Sequence, residues 1–355
     1  MLIILLFMVI IINAFLLHRS KSWVAVVVFL SISVFSSCRE NHTKEIQYPD
    51  ISGVEVDVKI QRIDQHLRGV SSIKTLDSLL RSERIIANNF VKIPEYPNPG
   101  IPIRQFYDML TNPYIDSLYM EVDRIFGNLD DLESEFELAF RHVKYYYPEF
   151  KIPKIKTVIT GLSHDDNDIY FSDSLIVIGL DFYLGESGKY RPQYPEYIAR
   201  RYGKEYIVPQ CLMLISNQYN ANNTADQTAL SDMIYYGKAY YFTRLNFPGI
   251  SDTLITGYSG EENLDIMENE PFIWAGLLQN EALYETSHVI KEKFLGERPK
   301  TYEINESCPG RIGRWVGYRI IQEYMQKSPD ETLVTLMEEE DALKIFNTSK
   351  YRPSR

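Results

Sequence analysis

The sequence is poor in the residues that build metal, redox and polyanion sites. Its 355 residues include three cysteines and six histidines. The histidines stand at 18, 42, 66, 142, 164 and 288, with no two within five positions, so the H-E-x-x-H helix of zinc peptidases is missing. The G-x-S-x-G elbow of serine hydrolases and the G-x-x-x-x-G-K-[ST] phosphate loop are missing too. Basic residues never stand more than two together, and 37 Lys+Arg face 48 Asp+Glu for a formal charge of −11. A nucleic-acid partner is thereby excluded, because displacing counterions needs a concentrated basic stripe. Repeats and low-complexity tracts are absent.

What is present is apolar and aromatic. Hydrophobic residues make up 45% of the chain, with 26 Tyr and 17 Phe. Aromatics bury about 150–250 Å² each, enough for a sizeable core, and disorder is excluded.

The N-terminus holds two apolar runs. Residues 1–17 carry no charge and match the lower limit of the roughly 17–25 residues that span a bilayer. His18, Arg19 and Lys21 then precede an apolar stretch from Trp23 to Phe35, closed by Ser36-Ser37-Cys38. A charged region, an apolar region and small residues before a cysteine form a bacterial lipoprotein signal, with Cys38 as the acylated residue. The expected division is a leader over 1–37, a lipidated tether over 38–52 and a single domain over 53–355. Triacylated Cys38 would anchor that domain to a lipid membrane on the periplasmic side of the envelope, the outer membrane before the inner. Cys211 lies in an apolar run and reads as a buried, inert thiol.

Along the body, apolar residues at 54, 56, 58 and 60 alternate with charges, the pattern of a half-buried strand. Helical spacing follows over 64–90, 103–126 and 130–147, the last opening on Asp130-Asp131, where acids favour a helix N-terminus. Short strands are expected at 155–160, 169–171 and 175–180, the last two joined by the turn Ser172-Asp173-Ser174. Beyond Tyr194 the chain reads as helix, at 194–202, 204–220, 226–246, 265–294, 309–327 and 329–337. Helices, a small antiparallel or mixed sheet, then more helices specify a mostly helical α+β domain.

Three constellations have chemical potential. Asp232, Tyr235, Tyr236 and Lys238 place polar tips three and four residues apart on an apolar helix, as a tyrosine-rich core or a shallow pocket. Glu285-x-x-His288 matches half of a di-iron helix motif, and a single copy favours a solvated face. Pro309-Gly310-Arg311-Ile312-Gly313-Arg314 puts Pro309 at a first helical position, with Gly313 and Gly317 exposing one bare helix face. Arg311 there would hold an internal acid such as Glu268 or Glu270, or an external carboxylate or phosphate.

Several ordered segments resemble one family. Val58 to Asp64, Ile178 to Gly185, Ile207-Val208-Pro209, Met233 to Lys238, Asn269-Glu270-Pro271-Phe272-Ile273-Trp274 and Pro309 to Gly313 are similar to the GldB gliding-motility lipoproteins of Bacteroidetes. The resemblance implies a cell-envelope lipoprotein of the gliding machinery, with other gliding and type IX secretion proteins as partners. More distantly, the same segments resemble predicted zinc-dependent proteases. Their H-E-x-x-H would fall on Ser231-Asp232-Met233-Ile234-Tyr235, with Ser and Tyr where histidines would stand. That resemblance implies a zincin-like fold with a degenerate site, no metal, no cofactor and no catalytic residue, and Asp232, Tyr235, Lys238, Glu270, Trp274 and Arg311 as a vestigial or binding site. The competing reading is an exported metal-dependent hydrolase using Asp232, Glu270 and His288. A third is an envelope receptor for a peptide or glycan.

Overall fold

Strand β1 (Ile60–Arg62) begins the only sheet among the residues described, which are 47–162 and 168–353 of a computed structural model. The leader, Cys38 and most of the tether lie outside them. Helices α1 (Ile63–Arg68), α2 (Ile73–Ser82), α3 (Arg84–Asn89), α4 (Gly100–Leu110), α5 (Ile115–Phe126) and α6 (Asp130–Tyr146) separate β1 from β2 (Lys154–Val158). The hairpin β3 (Ile169–Ser172) and β4 (Leu175–Gly179) completes a four-stranded sheet in the order β1-β2-β4-β3. β1 and β4 both run parallel to β2, with Ile60 opposite Ile155 and Ile155 opposite Ile176, while β3 pairs antiparallel with β4. The sheet is therefore mixed, and the domain is α+β.

Side chains alternate across a strand, so β2 and β4 present two apolar faces. Val158 and Val177 join Leu67, Leu76, Leu80 and Ile103 in one core against the early helices. Ile155, Ile176 and Ile178, from the opposite face, are wholly buried as well. Thr157 on that second face donates to Asp64, a buried carboxylate also clasped by Arg62 at 2.7 Å. The start of α1 is thereby tied to the sheet.

The expected strand over 54–60 shrinks to its last residue. The amides of Val58 and Ile60 instead donate to the carboxylates of Glu137 (3.2 Å) and Glu133 (2.8 Å) on α6, which replace a partner strand. The run 103–126 divides into α4 and α5 at Thr111–Tyr114.

The second half is helical: α7 (Glu196–Ala199), α8 (Ile207–Ser216), α9 (Ala229–Asn246), α10 (Asp252–Thr256), α11 (Gly260–Glu268), α12 (Glu270–Gln279), α13 (His288–Leu295), α14 (Ile312–Lys327), α15 (Leu333–Glu338) and α16 (Ala342–Ser349). Local signals place several ends. Thr228 caps α9 by accepting from the Ser231 amide, and Ser259 with Glu262 forms a capping box on α11.

The long helix expected over 265–294 is three helices. It breaks at Asn269 before Pro271, then between α12 and α13, where Glu281 has a left-handed φ of 53°. Glu285 thus lies outside any α-helix, and Glu285-x-x-His288 is not a helical motif. Pro309 is not a first helical residue either. It bridges Lys300 in extended backbone, and α14 starts after Arg311, whose φ is +61°. Helix α16, absent from the sequence expectation, packs on α14. Helices α9 and α14 make the most extensive helix pair, crossing at Gly237 and Gly317. Among the described residues no helix is long and apolar enough to cross a membrane.

Candidate functional site

Helices α8, α9 and α10, the loop around Arg201 and the start of α14 enclose a cleft of about 340 Å³. Its wall is tyrosine and aliphatic carbon, from Tyr235, Tyr236 and Tyr240 on α9, Met213 and Leu214 on α8, and Leu254 and Ile255 on α10. Its charged lining is Arg201, Arg311, Arg314 and Asp168.

The arginines approach one another because of a glycine. Gly257 has a φ of +73°, and a Cβ there would lie 2.4 Å from Arg201 Cδ and 3.2 Å from Arg311 Nη2. Any L side chain would be strained in that backbone and would displace both guanidiniums. Glu297, from the loop after α13, offsets the charge. It takes both terminal nitrogens of Arg201 at 3.0 and 2.9 Å, and its Oε1 is 3.4 Å from Arg311 Nε. Burial would raise the Glu297 carboxyl, but Arg311 and Arg201 outweigh it and hold the group below the usual glutamate value. Arg311 lies 5.6 Å above the Tyr258 ring, whose hydroxyl donates to the Gly310 carbonyl at 2.8 Å. Arg314 sits 4.1 Å over the Tyr236 ring and donates from Nε to the Leu295 carbonyl at 2.7 Å.

Across the cleft, the hydroxyl of the wholly buried Tyr183 reaches Asp168 at 2.8 Å and Gln210 at 2.6 Å. Burial is the main cause that raises Asp168 above the ordinary aspartate value, against the hydrogen bond from Tyr183.

Of the residues singled out in the sequence, the cleft gathers Tyr235, Tyr236, Arg311 and Arg314. Arg311 meets Glu297, not Glu268 or Glu270, because α14 begins beside the α13 loop. Asp232 pairs with Lys291 at 2.6 Å, joining α9 to α13. Lys238 is buried and donates to the carbonyls of Ala221 (2.7 Å), Glu339 (2.9 Å) and Met337 (3.2 Å), closing the end of α15. Glu270 binds Arg319 and the Tyr351 hydroxyl, each at 2.8 Å. Trp274 packs edge-on against Tyr351 with ring centres 5.1 Å apart. His288 is exposed, and Asp232, Glu270 and His288 each face different partners. Cys211 and Cys308 are both free and buried, with the Cys308 thiol pushed up to about 12, chiefly by burial.

Arg201, Tyr202, Gln210 and Glu297 were not singled out from sequence. The adjacent Arg200-Arg201 inside a tyrosine-rich stretch is the signal that marks them.

The residues at the H-E-x-x-H position do not fit a zinc ion. Ser231 and Tyr235 offer hydroxyls, and Asp232 is taken by a lysine ammonium. Among the described residues, no three His, Cys, Asp or Glu side chains converge as metal ligands.

The family described as "Gliding motility protein GldB" matches residues 44–353. The chain belongs to the GldB gliding-motility family. The match covers the whole helical and sheet body, so the GldB-family domain includes the cleft, the α9–α14 crossing and α16. No curated protein and no solved structure matches the chain.

Proposed function

We propose that this GldB-family chain is a non-enzymatic, lipid-anchored component of the gliding machinery. It is held in the cell envelope through Cys38, on the periplasmic side and at the outer membrane before the inner, and acts with the type IX secretion apparatus as a binding element. Family membership supports the motility role, and the signal ending at Ser36-Ser37-Cys38 supports the anchor.

The observation that carries the non-enzymatic reading is the engagement of the acids. A general acid or base must reach substrate with its proton-transferring atom. Asp232 instead anchors Lys291, and Glu270 anchors Arg319 and Tyr351, so both act as braces between helices. The position of Ser231 to Tyr235 on α9, the long helix that follows the sheet, supports descent from a zincin-like fold whose catalytic groups were replaced.

The test combines two variants in gliding cells. Cys38→Ala should abolish fatty-acid labelling of the protein and stop colony spreading. Asp232→Asn, accumulated at normal level, should spread normally. Spreading that survives loss of the lipid overturns the anchor. Lost spreading in folded Asp232→Asn overturns the non-enzymatic reading and favours a hydrolase.

A further inference from the structure

The cleft contains more buried positive charge than its own acids match. Glu297 serves two arginines at once, giving Arg201 a bidentate pair and Arg311 only a single approach to Nε. Arg311 is 7% exposed and lines the cleft, and its ion pair among the described residues is made through Nε, with Glu297 at 3.4 Å. The Arg201 Nε is buried without a partner. Arg314 has a carbonyl and a ring, and among the described residues no carboxylate stands within ion-pair distance of it, although its charge reaches Glu297. Buried charges are ordinarily paired, because desolvation without a counter-charge is costly. This crowding of cations is surrounded by a chain of formal charge −11.

We propose that the cleft binds a ligand that ends in a carboxylate and has an aromatic or apolar body. The carboxylate sits on the terminal nitrogens of Arg311, and the body lies against Tyr235, Tyr236 and Tyr240. The inference deepens the binding role proposed above and rests on it. The planar fork of a guanidinium matches two carboxylate oxygens. Arg311 presents that fork in a fixed direction, since Tyr258 lies beneath it and Glu297 holds its inner nitrogen. Its backbone is left-handed at φ +61°, unusual in a residue other than glycine.

The remaining wall selects the rest of the ligand. Ligand sites are concave and mostly apolar with a few placed polar groups, and volumes of about 300–1,000 Å³ are usual. The cleft, at about 340 Å³, is at the small end and suits a group the size of one or two amino-acid residues. Asp168 on the far side disfavours a second anion there, so one acidic end is received and the body stays uncharged. Burial, and then the neighbouring Arg311, lower Arg201 below the ordinary arginine value, whereas at Arg311 burial is outweighed by the neighbouring Tyr240, Glu297 and Tyr258, which keep the guanidinium above it, so Arg311 is charged and ready for an anion.

The test is isothermal titration of the full-length chain in non-ionic detergent with N-acetyl-L-phenylalanine, its carboxamide and phenyl phosphate. The acid should bind, with the carboxamide at least about tenfold weaker, the discrimination of roughly one charge-assisted pair. Leu254→Trp fills the cleft from α10 and leaves the arginines in place, so it should abolish binding of the acid while the protein stays folded. Arg311→Gln, if it folds, should do the same. Equal binding of acid and carboxamide, or binding that survives Leu254→Trp, overturns the proposal. Tighter binding of phenyl phosphate replaces the carboxylate with a phosphate, and no heat with any probe overturns the site. The titration reads neither lipidation nor spreading, so its failure leaves the envelope role standing.

Discussion

Gly237 and Gly317 lie backbone to backbone. A Cβ on Gly237 would stand 2.4 Å from the Gly317 carbonyl, and one on Gly317 would stand 1.8 Å from the Met233 carbonyl oxygen. Real side chains do not occupy such distances, and the neighbouring atoms are helix backbone, which cannot swing aside. This close crossing of α9 and α14 therefore depends on two missing methyl groups, and glycine's usual penalty of about 1 kcal/mol inside a helix is offset by packing.

Gly317→Ala should force α9 and α14 apart and lower stability by about 3 kcal/mol, the upper range for overpacking. Urea unfolding followed by circular dichroism measures it. Gly260→Ala is the control, because a Cβ there meets nothing within 4 Å, and it should change stability by less than about 0.5 kcal/mol.

Lys238 makes a pH-dependent contribution. Burial lowers it to about 8 from the ordinary 10.5, against the opposing pull of Glu339 and Glu340. Between those values the folded chain has released a proton that the unfolded chain still holds, so stability rises with pH across that window and falls again as pH drops through about 8. Lys238→Met should lower stability by about 2 kcal/mol at neutral pH, by stranding three carbonyls. It should also flatten the slope from pH 8 to 10.5, which unfolding midpoints in matched buffers report.

Glu270 ties the C-terminal segment to the body. Its carboxylate is shared by Arg319 and Tyr351, and Tyr351 in turn packs on Trp274. Glu270→Ala should leave a largely buried guanidinium unpaired and cost about 2 kcal/mol. Proteolytic trimming after Ser349 should accelerate in this variant before the remainder of the domain is cut, as seen by intact-mass spectrometry.

Much of the architecture was legible because it rests on local chemistry. Short runs rich in β-branched residues, expected as strands at 155–160 and 175–180, form β2 and β4, Asp130-Asp131 marks the start of α6, and Gly313 with Gly317 announces a close helix contact. The errors also have local causes. Val54 to Ile60 alternates like a strand, but two glutamates of α6 bind its amides, so the ladder never extends. The run 265–294 keeps helical periodicity through Asn269-Glu270-Pro271 and through Glu281, where the backbone turns out of the helix.

The site divides along the same line. The chain's order of residues determines that a helix begins close after Pro309-Gly310-Arg311, that Tyr235 and Tyr236 share an element, and that no H-E-x-x-H stands anywhere in the chain. Only the tertiary structure decides that Arg311 meets Glu297, that Arg201 joins it across Gly257, and that Asp232 and Glu270 turn to Lys291 and Arg319. Helices and strands follow from interactions between near neighbours in the chain. Ion pairs between residues as distant as Arg201 and Glu297 depend on where packed helices bring their side chains, which periodicity does not encode.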